Sequence, residues 1–307
     1  MTQTQFTQLI QRIAPQSKLL RSWELKGGLT AEMTGLEVEG ADGEVRKMIV
    51  RRRRWRDGET MEWRRQRAAN EFRVLQVLGS RGVVVPTPYY MDLSCDVLPK
   101  PYMVLEYIEG QPDFTRANGT DMAAQIARQL ANIHRIGGST LDLSFLPQSR
   151  ETFSERFGKQ MSRADVTAQE WRIAERLRAV WPGLRQDQGT LLHGDFWPGN
   201  VLWRDGRLVA VIDWEDAKLG NPLEDVAITR FDTLFIYGLD AMNEFTRTYQ
   251  ANSSIDMHHL PYWDLYAALR AASGISDWAE GWEELGRADI TEQSIRDAHS
   301  WFVRQAW

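Results

Sequence analysis

A change of hydrophobic period close to Gly110 constrains this chain more than any other feature. Before it, Leu20–Leu25, Glu32–Val38 and Arg46–Arg53 read as strands, separated by turn signals at Gly27-Gly28 and Asp42-Gly43. Val83–Pro88 is a proline-interrupted extended stretch, and Tyr102–Ile108 is an apolar strand that stops at Glu109-Gly110. Two helices accompany them. Thr2-x-x-Gln5 is a capping box ahead of Phe6, Leu9, Ile10 and Ile13, and Thr60–Leu78 runs helically to Gly79. After Gly110 the period becomes helical. Asp121–Ile136 carries Ala123, Ile126, Ala127, Leu130, Ile133 and His134 on one stripe, and Glu151–Val180 and several stretches from Leu223 onward read the same way. One hairpin, residues 200–213, interrupts this helical part. The expected fold is therefore α+β, with a β-rich part over 1–110 and a mainly helical part over 111–307.

At 307 residues the chain buries enough surface to fold without staples. Its single cysteine, Cys95, excludes an intramolecular disulfide and a cysteine zinc cluster. The start, Met1-Thr-Gln-Thr-Gln-Phe6, has no secretory pattern, and no apolar run approaches the ~20 residues of a membrane span. The expected location is the cytoplasm, with no membrane partner. A net charge of −5 argues against nucleic acid as partner. Charge is uneven, however. Arg46–Arg73 holds eleven Lys/Arg against four Asp/Glu, a balance of +7, so the remainder carries −12. Such a division suits an anionic ligand meeting a cationic or polyhydroxylic one, and a solvated helix face would look the same.

The chemistry concentrates between His193 and Glu215. Asp205-Gly206 separates two alternating apolar runs and reads as a two-residue hairpin turn. Centring the hairpin there pairs Val201 with Ala210 and Asn200 with Val211. Residues opposite one another share a face, as do residues two apart, so Asn200, Val211 and Asp213 point the same way. Asp213 then lies about 7 Å along the strand from the partner of Asn200, within reach of a shared metal ion. An amide oxygen and a carboxylate are suitable ligands for Mg²⁺ at a phosphoryl-transfer site. Asp195, five residues before Asn200, is placed to accept the proton of an attacking hydroxyl. His193 reads as a neutral residue that fixes the loop, with a general base or a ligand as the alternatives.

His193-Gly194-Asp195, the spacing to Asn200, and Ile212-Asp213-Trp214-Glu215 resemble the catalytic and metal motifs of the aminoglycoside phosphotransferase and choline kinase superfamily. Protein kinases have His-Arg-Asp and Asp-Phe-Gly at these points. Gly220-Asn-Pro-Leu-Glu-Asp225 extends the resemblance, which covers nearly the whole chain. It implies a bilobal protein-kinase-like fold: a β-rich, nucleotide-binding N-lobe with one main helix, and a helical C-lobe that carries the catalytic hairpin and binds substrate. Gly27 and Gly28 would turn the phosphate-covering hairpin, although full G-x-G-x-x-G spacing is absent. Ile49 would floor the adenine and Arg51 would reach the phosphates, with Lys47 and Arg53 sharing that strand parity. Leu105-Glu106-Tyr107-Ile108 resembles the hinge, where main-chain groups at Glu106 and Ile108 would bond adenine.

Glu71 offers a separate check from helix geometry. With Ala68 at 0°, Phe72 lies at about 40°, Leu75 at about −20° and Glu71 at about −60°. Glu71 thus borders the buried face, as the family's helix glutamate does when it pairs with the strand cation. Asp225 would brace the catalytic loop. The resulting expectation is an ATP- and Mg²⁺-dependent phosphotransferase acting on a hydroxyl of a small molecule, with Asp195 as base and Asn200 and Asp213 on the metal. A protein kinase and a catalytically inactive kinase-like binding module are the alternatives. The acceptor is expected to be cationic or polar, because Tyr262-Trp-Asp264 and Asp277-Trp-Ala-Glu-Gly-Trp-Glu-Glu284 are acidic and aromatic; helix-packing tryptophans would explain them equally well.

Overall fold

A computed structural model describes residues 1–25, 31–54, 58–136, 142–149, 158–184 and 189–307. The chain divides into two compact units, one of residues 1–109 with 210–215 and one of residues 110–209 with 216–307. Residues 210–215, the end of the expected hairpin, thus belong with the first unit although the chain reaches them from the second.

Among the described residues, the first unit is a five-stranded antiparallel sheet with two helices. Its strands are β1 (Lys18–Leu25), β2 (Ala31–Glu39), β3 (Val45–Arg53), β4 (Pro88–Asp92) and β5 (Tyr102–Glu106), in the order β1-β2-β3-β5-β4. Helix α1 (Gln3–Ile13) opens with the expected capping box between Thr2 and Gln5. Its Phe6, Leu9 and Ile10 pack on Leu36 and Val38 of β2, Val50 of β3 and Val104 of β5. Each such side chain stabilises the fold by roughly 1.5–3 kcal/mol on burial. Helix α2 (Met61–Ser80) is capped by the Thr60 hydroxyl and buries Glu71, Val74, Leu75 and Leu78. β4 begins at Pro88, where the expected extended stretch Val83–Pro88 ends, so the strand lies just after that stretch. Proline 88 stands at its first residue on the sheet edge, where a missing N–H breaks no ladder.

The second unit is mainly helical. Helix α3 (Gly119–His134) is buried along the expected stripe. The reading of Glu151–Val180 as one helix is corrected: residues 150–157 lie outside the described residues, and residues 162–167 are irregular. Helix α4 (Ala168–Val180) starts only after the Thr167–Glu170 capping box, a second start signal inside the same polar stretch. A two-stranded pair, β6 (Thr190–Leu192) with β9 (Lys218–Gly220), brackets the hairpin of β7 (Val201–Arg204) and β8 (Arg207–Val211). Asp205 and Gly206 both take positive φ, 51° and 72°, as a two-residue turn of this kind demands. Among the described residues, helices α5 (Leu223–Tyr237), α6 (Leu239–Asn252), α7 (Leu260–Ala272), α8 (Ile275–Trp278) and α9 (Glu292–Ala306) follow. The core helix α5 packs on α6, α7 and α9. No described helix is long and apolar enough to cross a membrane.

Candidate active site

In the second unit the His193–Asn200 loop leaves β6, whose Leu192 pairs with Lys218 of β9. Gly194 follows with φ +83°, and a Cβ there would meet the Asp216 carbonyl oxygen at 2.2 Å. No larger residue fits, which is why the loop reads His-Gly-Asp. The loop is then held by one face of α5. Asp225, Ile228, Thr229 and Asp232 follow one another at intervals of three, one and three, so they form a single stripe. The fully buried Asp225 carboxylate accepts the backbone N–H groups of His193 at 2.7 Å and Gly194 at 2.9 Å. Its other neighbour is His134 of α3, 3.3 Å away, whose second ring nitrogen meets the Tyr249 hydroxyl at 2.7 Å. Burial opposes the Asp225 charge, but the bonds and charges of His134 and His193 prevail, so its pKa lies below the usual carboxylate value. The Thr229 hydroxyl donates to the Phe196 carbonyl at 2.6 Å.

His193 is fully buried; its Nδ1 accepts the Asp195 N–H at 3.3 Å, and its ring meets Phe196 edge-on. Those contacts make it a fixing residue of the loop. Asn200 is buried and its amide nitrogen donates to the Asp195 carbonyl at 2.9 Å, which commits the nitrogen to the loop and makes the side-chain oxygen the atom a cation would take. The Asp195 carboxylate is about a third exposed and accepts Arg270 Nη2 of α7 at 2.6 Å.

The first unit holds the other charged cluster. Arg51 of β3 is 8% exposed and its Nε lies 3.1 Å from Glu71 of α2, also buried. Arg51 Nη2 bonds the Asp213 carboxylate and sits 3.3 Å from Glu215. Burial opposes the Arg51 charge, and Glu71, Asp213 and Glu215 together overcome it, raising its pKa further. Burial, helped by Asp213 and Glu215, pushes Glu71 upward against the pull of Arg51. Asp213 itself has φ 64°, a left-handed conformation uncommon outside glycine and concentrated at functional sites. Of the cations sharing Arg51's parity, Lys47 pairs with Glu109 at 2.5 Å, and Arg53 lies over the Trp63 ring near Glu59 and Glu215. Arg51 is the one that meets Glu71. Ile49 is half-buried on β3, opposite Leu105 of β5. At the expected hinge, the N–H of Glu106 donates to the Thr87 carbonyl at 2.8 Å and that of Tyr107 to the Lys47 carbonyl at 3.4 Å. Gly27 and Gly28 lie outside the described residues.

Residues 37–271 match the phosphotransferase enzyme family. The chain belongs to that family. Among its relatives, acyl-CoA dehydrogenase family member 11 of Homo sapiens is 23% identical over 231 residues, 65% of this chain and 29% of that protein. The chain thus spans less than a third of the length of such relatives. Viomycin phosphotransferase of Streptomyces vinaceus is 30% identical over 139 residues, 41% of this chain and 48% of that one. Among solved structures, macrolide 2′-phosphotransferase MphH of Brachybacterium faecium aligns with TM-score 0.62 at 17% identity, covering 94% of this chain and 95% of that chain. A thermostable mutant of aminoglycoside phosphotransferase APH(4)-Ia, in ternary complex with ADP and hygromycin B, aligns with TM-score 0.61 at 18% identity, covering 97% of both chains. The phosphotransferase fold here is the bilobal α+β kinase-like one, with a β-rich N-lobe and a helical C-lobe.

Three residues of the two clusters escaped the sequence reading. Arg270 follows Trp263, Tyr266 and Ala267 on the buried stripe of α7, where a charge is the anomaly that marks it. Asp232 lies one heptad after Asp225 on the α5 face turned to the loop. Glu215 stood in the quoted motif without a role. Conversely, Asp264 and Trp263, weighed as part of an acidic aromatic cleft, are both buried, Asp264 pairing with Arg230 through two 3.1 Å bonds. Trp282 is likewise buried, edge-on to Phe114. These residues pack the helices.

Proposed function

We propose that the chain transfers the γ-phosphoryl group of ATP to a hydroxyl of a small molecule. The observation that carries this reading is the loop geometry: a partly exposed Asp195 whose main chain is held on either side by buried Asp225 and Asn200. Catalysis of phosphoryl transfer is largely positioning and charge stabilisation, and this loop supplies both. The acceptor oxygen forms its bond to the γ-phosphorus as the bond to the bridging oxygen breaks. The acceptor proton passes to the Asp195 carboxylate, and ADP departs. Arg51, oriented by Glu71, holds the nucleotide phosphates as a planar fork that matches phosphate oxygens. Ile49 lies under the adenine. With the N–H groups of Glu106 and Tyr107 engaged elsewhere, Ile108 supplies the hinge donor and Glu106 its carbonyl.

Asn200 and Asp213 would hold Mg²⁺, since an amide oxygen and a carboxylate are the hard oxygen donors this ion takes. When bound, the ion offsets the negative charge of the phosphates. Gly27 and Gly28 remain the residues proposed to cover the phosphates, and residues 1–110 the proposed nucleotide-binding part. Solved relatives act on macrolides and aminoglycosides by their names, so a polar, hydroxyl-rich acceptor of that kind is the first to test here. Support for a cationic acceptor weakens with Asp264 bound to Arg230. The test is ADP release against a panel of aminoglycosides, macrolides, amino-alcohols and sugar-amines. Asp195→Asn should lower kcat at least about a hundredfold and leave ATP affinity within about threefold. Near-normal turnover in that variant overturns the reading. In a parallel binding titration, Asp213→Ala should remove the Mg²⁺ dependence of ATP affinity.

A further inference from the structure

A compact cavity in the first unit gathers positive charge that the proposed chemistry does not use. Arg51 and Arg53 of β3, Arg64 and Arg67 of α2, and Lys100 ahead of β5 line it, against the carboxylates of Glu71 and Glu215. Both acids are already engaged, Glu71 with Arg51 at 3.1 Å, and Glu215 with Arg51 at 3.3 Å and Arg53 at 3.6 Å. Glu59 meets Arg64 at 2.5 Å and Arg53 at 3.4 Å, and Glu32 meets Lys100 at 2.9 Å. The guanidinium groups of Arg53 and Arg67 lie 4.7 Å and 5.0 Å from the centroid of the same Trp63 ring, so one indole holds two like charges. Within Arg53, Nε and Nη1 are buried and make no hydrogen bond among the described residues. Buried donors of a charged group are seldom left so, because each forfeits its hydration, and an ion is one of the partners that satisfy them.

We propose that this cavity is a binding site for a single compact inorganic anion. Its volume of about 20 Å³ exceeds what one water needs and falls far short of a nucleotide. Its place on the sheet also differs from the nucleotide's. The proposed adenine contacts lie where Met48 pairs with Glu106 and Ile49 with Leu105, whereas the cavity lies past Arg51, which pairs with Met103. Arg53 is four residues, about 13 Å, along β3 from Ile49. The planar fork of Arg53 gives the anion directional partners, and Arg67 and Lys100 add charge. A bound anion therefore ties α2 to β3 through charge-assisted bonds that the protein's own acids leave incomplete. Arg64, Arg67 and Glu71 follow one another on α2 at intervals of three and four, so they share a face. Holding the first two steadies the helix that presents Glu71 to Arg51. Nothing in this site depends on which residue is the base.

The test is calorimetric titration of the nucleotide-free full chain with sodium phosphate, and separately with sodium chloride, in a buffer free of both anions. One anion should bind per chain. Tighter binding of phosphate would identify the site as one for an oxyanion, and tighter binding of chloride as one for a halide; no binding of either overturns the proposal. Arg53→Met and Arg67→Met should each weaken binding at least about tenfold, the loss expected for a hydrogen bond to a charged group. Glu59→Gln should act in the opposite direction and tighten it, because that glutamate competes for Arg53 and Arg64. Variants that lower Tm and leave the affinity alone would make the cluster purely structural. Arg247→Met, in the exposed pair with Glu244 on α6, should leave the affinity unchanged. Equal weakening there would reduce the binding to general charge attraction and overturn the site. Phosphate should also bind the chain saturated with Mg²⁺ and a non-hydrolysable ATP analogue. If the analogue displaces it, the anion occupies the nucleotide's own phosphate site and the proposal falls. If the analogue does not bind while phosphate binding still depends on Arg53, the nucleotide reading fails and the anion site stands.

Discussion

At the residue scale, the arginine on β3 illustrates how a cation survives burial. A guanidinium at 8% exposure would be prohibitive alone, and Arg51 has three carboxylates around it. Only Glu71 comes from a separate helix face, and it approaches the Nε edge, so it sets the plane of the fork. Losing either partner should therefore have the same consequence. Arg51→Ala and Glu71→Ala are each expected to cut turnover at least tenfold, and the double variant should be little worse than the worse single one. Steady-state rates on the three variants decide this. Additive losses would mean that the 3.1 Å contact is incidental. The burial of Glu71 was legible from helical phase, whereas its pairing with a strand cation was read from the family resemblance, with a surface salt bridge as the alternative. Arg51 was legible only as one of three by strand parity, and the choice required knowing which strand residue faces α2.

At the element scale, turns and helix starts were readable wherever a local rule decides them. The Thr2–Gln5 box and the Asp205-Gly206 turn are examples, since a few side-chain atoms dictate the backbone there. The three-residue strands β6 and β9 were not readable. Each is too short for a period, and their pairing bridges 25 residues of intervening chain between Leu192 and Lys218, which only the tertiary fold can specify. Yet this pair anchors the His193–Asn200 loop, and its tightest point is testable. A methyl at Gly194 meets backbone of Asp216 at 2.2 Å, and φ +83° is itself adverse for any other residue. Backbone cannot swing aside as a side-chain tip can. Gly194→Ala should therefore displace the loop, lowering turnover at least tenfold and Tm by several degrees. Wild-type turnover in that variant would show that the loop and β9 can separate without consequence.

At the scale of the whole molecule, the buried acids pull stability in opposite directions with pH. Asp225 has a folded pKa below its unfolded value, so it favours the native state above about pH 4 and ceases to do so as pH falls. Asp232 is the reverse case. Its folded pKa of about 8 exceeds the unfolded value near 3.9, so between those limits the unfolded chain releases a proton that the native chain keeps. Native stability at this site is complete below about pH 4, declines across the window, and reaches its minimum above pH 8. An asparagine is close to the shape of the protonated acid and does not titrate, so Asp232→Asn should be isoenergetic with wild type in acid. Its advantage should then grow as pH rises. Since about 1 kcal/mol corresponds to roughly 2–4 °C for chains of 150–250 residues, a Tm gain of at least about 3 °C at pH 8, shrinking to nothing near pH 4, is the expected result. Thermal melts of both proteins at half-unit steps of pH measure it. A gain independent of pH would mean that packing rather than the buried proton separates the two proteins, and a loss at pH 8 would mean that Asp232 is ionised there and stabilised by Arg270.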